Sequence, residues 1–217
     1  MMRRRYWVVL ACFVVLCEAG CAQQEPRYEV ANYIGTLTLK EGSPDIDVEL
    51  DVTYDVFEGV KSDGFKYVGT YEPSHLKGFD DAAKSVRVVL RRHRENQVYW
   101  VFPGVRSGKK RVVIQFTLHD VLTGTKAENL LSAPWIGIFK VSVRHAEYKI
   151  VFPGGVNPEI QSTTPNGFER TVVDGKIVLR LIQEPLTERA VSVRFAPGIF
   201  GAAREAAVLV GRSTSDA

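Results

Sequence analysis

The sequence predicts an all-β protein, an antiparallel β-sandwich with a short C-terminal helix. Three observations carry this. Ile46, Val48, Leu50, Val52, Tyr54 and Val56 alternate with Asp47, Glu49, Asp51, Thr53 and Asp55. A period of two is the mark of a strand with one face on a core and one in water. Short apolar runs then recur between Gly- and Pro-rich turns, while helical signal is weak.

The elements follow in order. Residues 28–39 read as a strand, and Lys40-Glu41-Gly42-Ser43-Pro44-Asp45 as the turn of an opening hairpin. The alternating strand spans 46–56. Further strands are expected at 64–70, 85–91, 97–102, 111–118, 139–152, 176–182 and 190–195. In 139–152 the apolar phase shifts from Phe139, Val141 and Val143 to Tyr148, Ile150 and Phe152, which predicts a bulge or bend around 145–147. Residues 123–131 can hold a short helical turn, and 201–210 is Ala-rich enough for a terminal helix. The longest stretch without strand pattern is 120–134. One two-part sandwich and two small β subdomains divided near 119–135 are therefore both open.

The N-terminus carries an address. Arg3, Arg4 and Arg5 precede an apolar run of twelve residues, Tyr6 to Cys17, and Ala19 and Gly20 precede Cys21. This is the layout of an export signal, residues 1–22, and is too short to span a bilayer. The sandwich is then expected over 23–200, and a short helix with a disordered tail over 201–217. Two cleavage readings compete. Ala19-Gly20-Cys21 ends a lipobox with Cys21 as the lipidated residue, although Glu18 stands where Leu is usual. Alternatively, an ordinary signal peptidase reads Gly20-Cys21-Ala22. Lipidation is preferred. Ala22, by resemblance to bacterial lipoproteins, permits outer-membrane sorting.

Charge and cysteines exclude several classes. Without Arg3, Arg4, Arg5 and Glu18 the net charge falls from +3 to +1, so the basic balance is no argument for nucleic-acid binding. All three cysteines, Cys12, Cys17 and Cys21, lie in the leader region. A folded body of 23–200 then holds no disulfide, thiolate metal cluster or cysteine nucleophile. His75, His93, His119 and His145 have no metal-binding spacing and read as surface or strand-end residues. Gly104 to Lys110 fails the count of a phosphate loop and reads as a basic hairpin. No Gly-x-Ser-x-Gly elbow occurs. No cofactor and no metal is expected.

Two candidate sites remain. Asp45, Asp47, Glu49, Asp51 and Asp55 share one strand face with neighbours about 6.6 Å apart. They suit calcium, a basic partner, or plain neutralisation by adjacent strands, for which 84–111 offers nine Lys/Arg against the single acid Glu95. The last reading is preferred. Val101-Phe102-Pro103-Gly104 recurs as Val151-Phe152-Pro153-Gly154, so Pro103, Gly104, Pro153 and Gly154 are candidate loop positions that stop strands and turn the chain.

Several pieces resemble one family. These are Tyr28-Glu29-Val30 before the 48–57 strand and Glu58-Gly59, then Gly64-Phe65-Lys66, and Gly108 leading into 112–118. Trp135 before a strand ending Phe152-Pro153-Gly154-Gly155, and 189–195 followed by Pro197-Gly198, complete the set. Their order resembles the extracytoplasmic β domain of domain of unknown function 2207, a predicted-membrane-protein family, over about residues 28–200. The chain departs at Leu50, where the family usually carries an acid. It also lacks an Arg-x-x-Pro around 66–71. The family usually continues into transmembrane helices, whereas 201–210 is too short and is broken by Arg204 and Glu205. The resemblance implies no activity, cofactor or catalytic residue.

The expected function is a non-enzymatic binding or structural module of the cell envelope. It would be periplasmic, an outer-membrane lipoprotein or secreted, with an envelope or membrane-protein partner. Its membrane contact would be a lipid on Cys21. The alternatives are a carboxylate-based extracytoplasmic hydrolase or a calcium-binding β domain. A fatty-acid analogue fed to cells is expected to label the protein, and Cys21→Ser to lose the label. Label retained in that variant would refute the anchor.

Overall fold

The computed structural model describes residues 25–92, 94–124, 128–136, 141–183 and 189–196. The expected leader, 1–22, and the expected short helix and tail, 201–217, lie outside them. The described residues form fourteen strands: β1 (Arg27–Leu39), β2 (Ile46–Glu58), β3 (Lys61–Gly69), β4 (Pro73–Asp80), β5 (Arg87–Arg92), β6 (Asn96–Val105), β7 (Gly108–Leu118), β8 (Leu122–Gly124), β9 (Asn129–Ile136), β10 (Ala146–Val151), β11 (Ile160–Thr164), β12 (Glu169–Val173), β13 (Lys176–Gln183) and β14 (Arg189–Phe195).

Three sheets result. The large one has seven strands in the order β12-β13-β10-β1-β2-β7-β4. A four-stranded sheet, β11-β14-β9-β8, and a three-stranded sheet, β3-β6-β5, complete the set. The fold is the all-β sandwich the sequence predicts, and its pairings are antiparallel except for β1 with β10. A parallel pair needs a crossover, and the chain makes one through β8 and β9.

The alternation of β2 decides the layering. Ile46, Val48, Leu50, Val52, Tyr54 and Val56 are all buried, and the intervening acids face outward. Tyr33, Leu37 and Leu39 of β1 share that core with Val112, Ile114, Phe116 and Leu118 of β7. Trp100 and Phe102 of the three-stranded sheet belong to the same cluster, as do Leu131, Val193 and Phe195 of the four-stranded one. Each such side chain contributes about 1.5–3 kcal/mol on leaving water, before conformational entropy offsets it.

Several expectations need correction. The described residues of 120–134 are not patternless and not helical: β8 and β9 occupy most of them. Leu122, Leu131 and Ala133 are buried there, so short strands pack a core that their sequence does not advertise. The strand expected over 139–152 begins at Ala146, and 141–145 is irregular. There Val30 N–H donates to Ser142 O, Arg144 N–H to Val30 O and Tyr33 N–H to His145 O. The register of β1 against β2 shifts between Val30 and Asn32. The irregular stretch runs up to His145, where the expected bend begins.

β4, β11 and β12 are additional strands. β4 opens with Pro73 at the edge of the large sheet, where a missing N–H does no harm. β12 and β13 form a hairpin through Asp174 and Gly175, both at positive φ (50° and 72°), as a two-residue turn demands. Pro103 and Gly104 do not end a strand, because β6 runs on to Val105. Nor is 104–110 a hairpin: β6 and β7 lie in different sheets, and the chain crosses between them at Arg106 and Ser107.

The three-stranded sheet docks at Gly64. A Cβ there would lie 2.2 Å from Tyr54 Oη and 2.6 Å from Trp100 Nε1. Gly64→Ala is expected to destabilise the protein by about 1–3 kcal/mol in denaturant melts. An unchanged midpoint would show that the two rings are not held against β3.

Candidate functional site

The acidic row lies on the outer face of the large sheet, and each of its carboxylates has a partner. Asp47 bonds Lys40 Nζ at 2.7 Å and accepts from Thr117 Oγ1 at 2.8 Å. Glu49 accepts from Gln115 Nε2 at 2.8 Å. Asp51 receives both Nε and Nη2 of Arg111, at 2.8 and 2.7 Å. Arg144 bridges Asp55 and Glu29, each at 2.7 Å. Asp45, just before β2, accepts from the Asp120 N–H and from His119 Nδ1, both at 3.0 Å. Burial pushes the Asp45 carboxyl up, but these bonds outweigh it and hold the group below its ordinary value. Asp47 behaves likewise: burial opposes, and Lys40 and Thr117 prevail.

Of the nine basic residues in 84–111, Arg111 alone is among these partners. The others are Lys40, Arg144, His119 and the neutral Gln115 and Thr117, because β7 and the chain ends beside β2 are what lie within reach. Exposed pairs of this kind are worth about 0.2–1 kcal/mol each. Among the described residues no group of three or more His, Cys, Asp or Glu is placed to hold a metal ion.

The four loop positions are not equivalent. Pro153 and Gly154 form a turn after β10, whereas Pro103 and Gly104 lie within β6. A Cβ on Gly104 would meet Val60 Cγ1 at 2.7 Å, so this glycine serves a close approach of strands. His93 lies outside the described residues.

A different site comes from β3, whose side-chain alternation is inverted. Phe65 and Tyr67 are exposed, at 52% and 40%, while Lys66 between them is buried at 8%. Strand periodicity places Lys66 on the inner face with Gly64 and Val68. There it lines a cavity of about 320 Å³ between β1–β2 and β3–β6. Tyr28, Tyr33, Tyr54, Val52 and Trp100 form apolar walls, and Lys61, Asp63 and Lys66 supply the charges. Lys61 Nζ sits 4.5 Å from the Tyr28 ring centre and 5.3 Å from that of Tyr54. It also pairs with Asp63 at 3.2 Å, and Asp63 accepts from Tyr99 Oη at 2.9 Å. Tyr54 stacks on Phe102 at 5.5 Å and meets Tyr28 edge-on at 5.9 Å.

Asp63 and Lys61 pair with each other, and Lys66 is a third charged group among the lining residues. Burial pushes its ammonium down to about 7, against an ordinary 10.5. Burial likewise drives the Tyr33 and Tyr54 hydroxyls above their ordinary range, so both stay neutral. Periodicity does not reveal this site: in Gly64-Phe65-Lys66-Tyr67-Val68 it would turn the two aromatics inward and the lysine out, and the structure has the reverse.

No protein-family model matches the chain, and no curated protein matches it. Among solved structures the chain is similar to a putative nutrient binding protein from Legionella pneumophila, at 7% identity and a TM-score of 0.58, covering 80% of this chain and 68% of that one. It is similar to the M1 zinc metallopeptidase of Deinococcus radiodurans, at 13% identity and a TM-score of 0.50, over 81% of this chain. Native yeast LTA4 hydrolase follows at 10% and 0.50, over 77% of this chain. The chain spans 43% of the metallopeptidase and 29% of the hydrolase. At these identities the likeness shows the architecture, not the activity.

The burial of Lys66 has a pH signature. Above pH 10.5 the lysine is neutral in both folded and unfolded chains. As pH falls, the unfolded chain takes up a proton that the folded one refuses until about pH 7. This group therefore makes stability drop between those limits and level off below. Lys66→Met is expected to be more stable than the parent at pH 7, with the gap closing toward pH 10.5. Denaturant melts across this range check it, and parallel pH profiles would count against a buried Lys66.

Proposed function

We propose that the chain is an exported binding module of the cell envelope, anchored through Cys21, and that the cavity between the large and three-stranded sheets is its ligand site. The inverted alternation of β3 carries this reading. It puts a lysine among tyrosines and a tryptophan while two aromatics stay in water, an arrangement that packing alone disfavours. The cavity volume falls at the small end of ligand sites, about 300–1,000 Å³. Its walls suit a small amphipathic anion. The apolar body lies against Tyr28, Tyr33 and Trp100, and the acidic group meets Lys66. An anion there favours protonated Lys66, so binding draws in a proton.

The fold does not choose between binding and catalysis, since it is shared with a putative nutrient binding protein and with peptidases. The cavity favours binding over carboxylate hydrolysis. That chemistry needs two acids about 5–9.5 Å apart, and Asp63 is the one carboxylate among the lining residues. The acidic row lies on the opposite face, where Arg111, Gln115 and Thr117 donate to its carboxylates.

1-Anilinonaphthalene-8-sulfonate, an aromatic anion, is a suitable probe. Its fluorescence is expected to rise with one-site saturation, and Lys66→Met to weaken binding by about tenfold or more. Asp51→Ala, on the outer face, is expected to leave binding unchanged. Equal affinity in Lys66→Met and parent would sink the assignment.

A further inference from the structure

Three chain segments meet at one end of β2, β7 and β4, and they bring together three side chains far apart in sequence. Ser74 of β4 stands opposite Thr117 of β7, two residues before His119. Asp45 precedes Ile46, which stands opposite Leu118. Ser74 Oγ lies 2.7 Å from His119 Nε2. His119 Nδ1 lies 3.0 Å from Asp45 Oδ2. Asp45 Oδ1 accepts the Asp120 N–H at 3.0 Å, which fixes the carboxylate. The turn holding Asp45 is fixed in its turn, because Val121 and Leu122 N–H both donate to Pro44 O at 3.0 Å.

We infer that Ser74, His119 and Asp45 form a nucleophilic relay that cleaves small carboxylic esters. The geometry assigns the roles. An acceptor at Nδ1 places the imidazole proton there and leaves Nε2 to accept from the serine hydroxyl. This is the hydrogen-bond order that activates a serine, found here in the chain order Asp-Ser-His. The group is accessible as well as connected. Ser74 is half-buried, the His119 side chain is 40% exposed, and both line a cleft of about 670 Å³ with Tyr71 and Glu72. That cleft shares no lining residue with the aromatic cavity, so the inference goes beyond the binding reading and does not rest on it.

The backbone beside the serine is unusual. His75 has a φ of +53°, rare for a residue with a side chain, and the β4–β7 register shifts between Ser74 and Lys77. Such bulges and strained residues re-aim side chains and cluster at active sites. Here the bulge carries Ser74 to His119. His75 Nδ1 is also 3.1 Å from Ser74 Oγ, and His75 is exposed.

The steps balance. Ser74 Oγ bonds to the ester carbonyl carbon while its proton moves to His119 Nε2. The ester C–O bond breaks, and the leaving oxygen takes that proton from His119 and departs as the alcohol. Water then bonds to the acyl carbon, giving a proton to His119; the bond from that carbon to Ser74 Oγ breaks, and His119 returns the proton to Oγ. The products are the acid, the alcohol and the original enzyme. Asp45 acts through His119 as a positioning residue.

The test uses the full chain with p-nitrophenyl acetate and a fluorophosphonate. Saturable hydrolysis above buffer is expected, together with a phosphonyl adduct mapped by mass to Ser74. Ser74→Ala is expected to abolish both. His119→Ala is expected to lower kcat by roughly two orders of magnitude or more. Asp45→Asn is expected to lower kcat with KM nearly unchanged, and Asp45→Glu to recover part of it. His75→Ala is expected to retain labelling and turnover. An adduct elsewhere, no adduct on the folded parent, or equal labelling in His119→Ala would overturn the relay. The adduct site is read on the parent, so a variant that fails to fold does not protect the idea.

Discussion

The strict alternation of β2 is the constraint on which the rest depends. Six apolar side chains on one face force the strand to lie between a core and water. A register slip of one residue would bury its aspartates, so pairing with β1 and β7 has one solution. That solution places Val52 and Tyr54 in the cavity wall and sends the carboxylates outward. It also leaves Asp45 at the strand's entrance, beside the end of β7. Cavity, charged face and side-chain relay are three outcomes of one register.

The charged outer face shows how a sheet tolerates a row of acids. Neighbouring strands offer donors at matching heights, directly across for Thr117 and Gln115 and diagonally for Arg111. No single contact matters much in water, since exposed pairs are weak and screened. Together they keep like charges from acting on one another and keep the face soluble. Asp45, at the strand's entrance, differs from the rest of the row in having a histidine as its partner.

The regular parts of the fold were legible, and the reason is periodicity. β1, β2, β3, β6, β7, β13 and β14 follow the expected strands closely, because each has several apolar side chains on one face. β8 was not legible: it is three residues long, and a period cannot show in so few. β4 begins with Pro73 and holds Gly78, residues that locally signal a turn. It is a strand because β7 offers it an edge. Most of the described part of 123–131, where a helical turn is expected, is strand in β8 and β9, and β9 buries Leu131 against the core. Asp-Gly at 174–175 is itself a hairpin signal, and the β12–β13 turn uses it. Of the site residues, Lys66 was not legible, because Phe65 and Tyr67 beside it are the side chains that alternation turns inward. Nor were Ser74 and His119, because they stand 45 positions apart and only the β4–β7 pairing joins them.

The parallel pairing of β1 with β10 imposes an order of assembly. Synthesis delivers residues 25–124 long before 146–151, so β1 can pair with β2 early while its other edge stays open. For that interval a run of unpaired N–H and C=O groups lies ready to recruit a strand from another molecule. Long-range parallel pairing is also slow to form, which lengthens the exposure. The polar residues along β1, among them Asn32, Thr36 and Thr38, act as safeguards on the outer side of this edge. Aggregation during biogenesis is therefore governed by how soon β10 arrives, a kinetic vulnerability that the finished, fully paired strand no longer displays.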